Sequence, residues 1–197
     1  INQIVFTGSV PTGRSILHAA AERAVPSVME LGGKSAAVVF ADADLDQLIE
    51  SVYWGIFFNA GQVCSAMSRL LVERSIYDQV IKRVRDLAVG LTLGPGIDNC
   101  DLTPLASAGQ QRQVLQHCQQ AVAQGARLVT GGATPKSMPG YFFEPTVFCD
   151  VSAEMDLFQQ EVFGPVIAIT PFDTEQQAWE LANGTDYGLV AGIFSKD

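Results

Sequence analysis

Short apolar runs alternate along this chain with longer stretches in which apolar residues return every three or four positions. Ile4-Val5-Phe6, Ala36 to Phe40, Leu70-Leu71-Val72, Leu128-Val129, Val166 to Ile169 and Val190 to Phe194 read as strands, and Ser27 to Met29 reads as extended. Contiguous apolar runs bounded by turn residues fit strands buried on both faces. Between them the pattern predicts helices. One opens at Pro11 and runs to about Ala24. A second, capped by Asp44, covers Leu45 to about Phe58, with Leu45, Leu48, Ile49 and Val52 on one face. Ser75 to Asp78 looks like a capping box opening a helix to about Val89, and further helices are expected over Ser107–Gln124 and Asp173–Asn183. This alternation predicts an α/β fold: an open, mainly parallel sheet with helices on both faces. Gly94 to Pro104 and Gly131 to Pro145 read as loops. Gly32-Gly33 is the expected boundary, where a strand leaves one sheet.

Size and composition narrow the class. The 197 residues, 48% hydrophobic and only 17% charged, suit one large well-buried domain, or one domain plus a remnant, with surface to hide in an oligomer. Twelve basic against 21 acidic residues give a net charge of −9, and no basic run occurs. That argues against a nucleic-acid partner. No apolar run approaches the ~18 residues of a spanning helix, and no basic-then-apolar leader opens the chain. Cys64, Cys100, Cys118 and Cys149 follow no metal-ligand or disulfide spacing, so no metal site is expected. Four such thiols fit a reducing, cytoplasmic setting. The chain opens Ile1-Asn2-Gln3 straight into a strand and stops just after another, so both ends read as cut.

The chemistry concentrates in four segments. An irregular run, Asn59 to Gln62, delivers the single thiol of Cys64 between small and apolar neighbours. Thirty-four positions earlier (64 − 30), the run Val28-Met29 ends on Glu30, and Gly32-Gly33 follow at once. A thiol must lose its proton to attack a carbonyl, and a carboxylate can take it. The bland alternatives are a buried structural thiol and a solvated rim carboxylate. Gly8-Ser9-Val10-Pro11-Thr12-Gly13-Arg14-Ser15 nearly fits a phosphate loop, with Arg14 in place of the lysine, and Val38-Val39-Phe40-Ala41-Asp42 imitates a magnesium-binding strand. An NTPase is therefore one alternative. A plain strand–turn–helix anion site is another, and an ordinary βα turn a third. In Glu161-Val162-Phe163-Gly164-Pro165 a carboxylate and a ring stand two apart, facing one side if extended. The carboxylate could accept ribose hydroxyls while the ring stacks on a heterocycle; a solvated Glu beside a core Phe is the alternative. His18 and His117 sit within helices without a ligand-spaced partner and read as structural or exposed.

Together these segments resemble the aldehyde dehydrogenase superfamily. Met29 to Ser35 is similar to its glutamate signature, Phe58 to Ala66 to its cysteine signature, Glu161 to Pro165 to its cofactor-ribose segment, and Phe6 to Ser9 to its pyrophosphate turn. The resemblance covers essentially the whole chain. It is strongest toward betaine-aldehyde and ω-aminoaldehyde dehydrogenases, through Gly61 to Val72 and Tyr187 to Val190. The resemblance implies that residues 1–32 are the tail of an NAD(P)-binding Rossmann-like domain and 33–197 an incomplete catalytic domain. It implies Cys64 as nucleophile, forming a thiohemiacetal and then a thioester, and Glu30 as base. Thr7, Gly8 and Ser9 would meet the cofactor pyrophosphate. Leu31 and Gly32 would meet the nicotinamide amide, Glu161 its ribose, and Phe163 would pack near the ring. Phe58, Val63 and Ser65 would shape the aldehyde pocket. NAD is the expected cofactor, with NADP also open; the expected partners are a small aldehyde and further copies of the protein. The family's oxyanion-hole Asn and ribose-binding Lys have no counterpart here. A truncated, inactive folding or assembly fragment is the alternative from a different class.

Overall fold

The computed structural model describes residues 1–197. Eight strands and six α-helices run in the order β1 (Ile4–Thr7), α1 (Val10–Ala21), β2 (Ser27–Glu30), β3 (Ala36–Val39), α2 (Leu45–Val52), β4 (Arg69–Glu73), α3 (Tyr77–Gly90), α4 (Ala108–Ala123), β5 (Arg127–Thr130), β6 (Thr146–Cys149), α5 (Asp156–Gln159), β7 (Val166–Phe172), α6 (Glu175–Asn183) and β8 (Ala191–Phe194). Two sheets result. β1 and β2 pair in parallel on their own, with Thr7 opposite Glu30. The other six strands are ordered β5-β6-β7-β4-β3-β8, parallel everywhere except β5 against β6. No helix is long and apolar enough to cross a membrane.

The central strands explain the layering. Alternate residues of a strand face opposite sides. Ala36 and Val38 of β3 enter one core with Leu71, Val114, Cys118, Phe148, Phe158 and Ala178, beneath α4, α5 and α6. Ala37 and Val39 enter the other with Leu70, Val72, Leu48, Val52, Val80 and Val84, beneath α2 and α3. Contiguous apolar runs are thus what a sheet covered on both faces requires.

Four local expectations are corrected. Ser75 caps nothing: its hydroxyl turns back to Glu73, and α3 starts at Tyr77 after a 3₁₀ turn over Arg74–Ile76. The second helix stops being α-helical at Val52 and continues as a π turn, Tyr53–Phe57. Strand β6 lies in a stretch with no predicted element: it opens on the polar Thr146 directly after Pro145 and the long loop, so no turn-bounded apolar run marks it. The phosphate-loop reading fails on geometry. Only Gly8 and Ser9 separate β1 from α1, and Gly13 is a buried residue of the helix itself, against Leu31.

Arg69 pins the layers together. It is 2% exposed; its guanidinium donates to the carbonyls of Lys34 (2.8 Å), Leu181 (2.7 Å) and Ala182 (2.8 Å) and stacks over Phe158 at 4.7 Å. It therefore supplies a donor to the Ala182 carbonyl near the end of α6, and a further donor to Leu181, which also accepts from the Gly184 N–H. Arg69→Ala strands the Lys34 and Ala182 carbonyls, takes a donor from Leu181 and bares a ring face, so unfolding free energy should fall by about 3–5 kcal/mol, and Arg69→Lys should not restore it, since an ammonium lacks the planar fork. Urea denaturation measures this; a loss under about 1 kcal/mol would contradict it.

Candidate active site

The loop that carries Cys64 is strained. After the π turn, Asn59 (φ 52°), Ala60 (φ 52°) and Gly61 (φ 71°) take three consecutive left-handed conformations. For residues with a Cβ each such conformation costs about 1–2 kcal/mol. Side-chain amides hold it: Asn59 Nδ2 donates to the Gln62 carbonyl (3.0 Å) and Gln62 Nε2 to the Asn59 carbonyl (3.2 Å). Gln62 Oε1 also accepts from the Ala106 N–H at 2.8 Å, tying the loop to the segment before α4. The backbone N–H of Cys64 donates to no group of the chain. Of the four thiols, Cys118 and Cys149 are buried, which pushes both up to about 12 and keeps them protonated. Cys64 is partly exposed and opens into a cleft.

That cleft, of about 510 Å³, is lined by Thr7, Gly8 and Ser9 on one side, Glu30, Leu31 and Gly32 beside them, Cys64, and Glu161 to Phe163. Nine of the residues predicted to matter therefore share one cavity, the thiol and the carboxylate of Glu30 among them. Backbone contacts bring them there. The Gly8 N–H donates to the Glu30 carbonyl at 3.0 Å. A Cβ at Gly33 would lie 2.8 Å from the Cys64 carbonyl, and one at Gly32 would overlap Glu161 Oε2. The Gly33 N–H donates to Glu161 Oε1 at 3.3 Å. Ser9 caps α1, its Oγ accepting from the Thr12 N–H at 3.5 Å, so the helix N-terminus opens on the cleft.

Glu161 and Phe163 reach the same side by another route than an extended strand. Phe163 has φ 54°, and the Gln110 amide donates to the Val162 (3.0 Å) and Phe163 (2.8 Å) carbonyls, holding the bend. Burial raises the Glu161 carboxyl, while the Gly33 N–H and the charge of Lys34 oppose that rise.

Val63 and Ser65 line a different depression, with Gln47, Glu50, Trp54 and Met67, so the residues flanking the nucleophile face away from the cleft. Phe58 lines neither; half exposed, it tilts against Trp54 with ring centroids 5.7 Å apart. His18 is exposed, as expected. His117 is not idle surface. It lines the cleft with Gln110, Gln113, Gln116 and Gln120, all from one face of α4, and its Nδ1 is buried without a partner. Burial, then Lys34, lower its pKa, while Asp156 opposes them. The signal was in the sequence: polar residues at 110, 113, 117 and 120 form a helical stripe.

A dinucleotide fits these donors. The cleft offers a helix N-terminus for phosphate, a carboxylate for hydroxyls and a half-exposed ring for a heterocycle. The comparisons agree. The sequence profile of the aldehyde dehydrogenase family matches residues 1–197. The chain is 41% identical to a chloroplastic betaine aldehyde dehydrogenase of Beta vulgaris, with 100% of this chain and 40% of the relative covered. It is 43% identical to a betaine aldehyde dehydrogenase of Cereibacter sphaeroides, again with 100% covered, and 41% of the relative. The betaine aldehyde dehydrogenase of Staphylococcus aureus, solved with NAD+, superposes with a TM-score of 0.97 at 38% identity, covering 100% of this chain and 40% of that one. The chain thus spans about 40% of the length of the relatives it matches. A matching profile across every residue, together with the shared cleft of Cys64 and Glu30, places this chain in the aldehyde dehydrogenase family.

Proposed function

We propose that this chain carries the nucleophile and base of an enzyme that oxidises an aldehyde to a carboxylate with NAD. The observation that carries the reading is the single cleft holding Cys64, Glu30, the Ser9-capped helix start and Glu161. Residues 1–32 then belong to the cofactor domain and 33–197 to the catalytic domain, a division supported by the two separate sheets.

The Cys64 thiolate attacks the aldehyde carbon and forms a thiohemiacetal. The unengaged Cys64 N–H is available to the developing oxyanion; such a donor contributes about 2.7–4 kcal/mol of barrier lowering. Bound NAD supplies the hydride acceptor. Loss of hydride leaves a thioester on Cys64. Glu30 then takes a proton from water, the water oxygen attacks the acyl carbon, and the thiolate departs with a carboxylate as product. Thr7, Gly8 and Ser9 face the pyrophosphate, Leu31 and Gly32 the amide, Glu161 the ribose and Phe163 the ring. The groove bearing Val63 and Ser65, on the side of Cys64 away from the cofactor cleft, receives the aldehyde, so that substrate and cofactor approach the thiol from opposite sides. The relatives' names include betaine and aminoaldehyde dehydrogenases, and the exposed ring of Trp54 in that groove, with the tilted ring of Phe58 beside it, suits a cationic substrate. A ring face attracts an ammonium by about 0.5–2 kcal/mol.

Three outcomes test this in the full-length enzyme that carries the chain. Cys64→Ala should cut aldehyde oxidation by about 10⁴-fold or more with NAD still bound; near-normal turnover would remove Cys64 from its role. Glu30→Gln should give a burst of about one NADH per site, then a steady rate about 10²–10⁴-fold down; no burst and an unchanged steady rate would reassign the base. Phe58→Leu should raise KM about 2- to 30-fold for a trimethylammonium aldehyde, and leave a neutral aldehyde of equal length unaffected. Equal shifts for both substrates would sink the cationic preference.

A further inference from the structure

Lys34 is the buried charge that neither the proposed chemistry nor any hydrogen bond uses. Its side chain is 2% exposed and its Nζ has no hydrogen-bond partner. A buried ammonium without partners is costly, so it gives up its proton or draws on a nearby opposite charge. The elements packed around it supply one opposite charge and one like charge. Burial first, then Arg69 on β4, lower Lys34 to about 7, and Glu161 opposes them. From α4, His117 feels the Lys34 charge and that of Asp156. Lys34 is in turn the one charged side chain that acts on Glu161.

The geometry couples the two residues through one turn. The Gly33 N–H donates to Glu161 Oε1 at 3.3 Å, and the next residue is Lys34, whose carbonyl Arg69 fixes at 2.8 Å. Gly32 lies directly beneath the other carboxylate oxygen. The carboxylate thus accepts from the peptide N–H of the turn, and the residue that follows on that turn carries a buried, unpartnered ammonium whose charge opposes its protonation. Their titrations are complementary: Lys34 is charged below about 7, and burial drives Glu161 to take up its proton above the ordinary carboxylate range. In that interval Lys34 carries a charge that opposes protonation of Glu161.

We propose that Lys34 is a positioning residue of the cofactor site, its buried ammonium holding the Glu161 carboxylate ionised on the Gly32-Gly33 turn so that a hydroxyl-accepting group persists in mildly acidic solution. The proposal rests on the reading of Glu161 as the ribose ligand, and its test separates the two. The carboxyl ¹³C resonance of Glu161 in the full chain, assigned by its loss in Glu161→Gln, reports the proton directly, without cofactor. Lys34→Met should move its midpoint up by about one pH unit or more, a tenfold gain in proton affinity. NAD affinity of Lys34→Met, by calorimetry, should then fall about tenfold more than that of the unmodified chain as pH drops through the shifted midpoint. A Glu161 midpoint that does not move overturns the role of Lys34. Unaltered NAD affinity in Glu161→Gln overturns the ribose reading and leaves the resonance to judge Lys34. Should Lys34→Met not fold, the reciprocal measurement decides: Glu161→Gln should lower the midpoint of the Lys34 ¹⁵Nζ resonance, and an unmoved midpoint rejects the coupling.

Discussion

The site depends on how closely three distant stretches of backbone approach one another. The glutamate turn, the thiol loop and the Glu161 loop meet where side chains would keep them apart. Gly32 has the Glu161 carboxylate where its Cβ would be, and Gly61, at φ 71°, has the Gly164 carbonyl there. Real Cβ atoms cannot occupy such positions, so glycine is a condition of the assembly. Once these approaches are made, Glu30, Cys64 and Glu161 share a cleft although they come from opposite ends of the chain.

What lies around this junction keeps it in place. The left-handed run before Cys64 would relax if left to itself; reciprocal amide bonds between Asn59 and Gln62, and the Ala106 contact, prevent that. The bend at Phe163 is held the same way by Gln110. Strained backbone of this kind persists only where its surroundings over-determine it, and it clusters at functional sites. A π turn directly before the thiol loop fits the same pattern. The strain lies in short loops, while the sheet behind them is buried on both faces.

The sequence disclosed the parts of this arrangement that have a local signature. Strands β3, β4 and β7 are buried on both sides, so their apolar runs are unbroken and readable. Cys64 and Glu30 stood out because each interrupts a regular pattern at a glycine-rich turn. β6 escaped because it opens on a polar threonine straight after a proline-ended loop, and the capping box at Ser75 failed because Glu73 offered its hydroxyl a nearer partner. His117 was passed over for a different reason. A histidine becomes a candidate through what other segments bring to it, and the cleft wall is completed by residues more than forty positions away. The same holds for Lys34, which a reader of the chain takes for the ordinary lysine after a turn.

Lys34 and Arg69 show why a buried centre of this kind needs charge behind it as well as in front. Arg69 spends every donor it uses here on carbonyls, so it satisfies backbone and neutralises nothing. Its positive charge even works against Lys34. Replacing buried ions by apolar groups is often harmless to stability, and on that ground alone a methionine would serve at position 34. A carboxylate that must accept hydroxyls in a half-buried wall sets a different requirement, because it has to stay ionised where burial favours its proton. The peptide N–H of Gly33 reaches only one of its oxygens. A buried cation on the next residue, outside the cleft lining, opposes protonation of the carboxylate and leaves the cleft face free for a ligand. The arrangement therefore trades stability of the core for a lasting charge at the site.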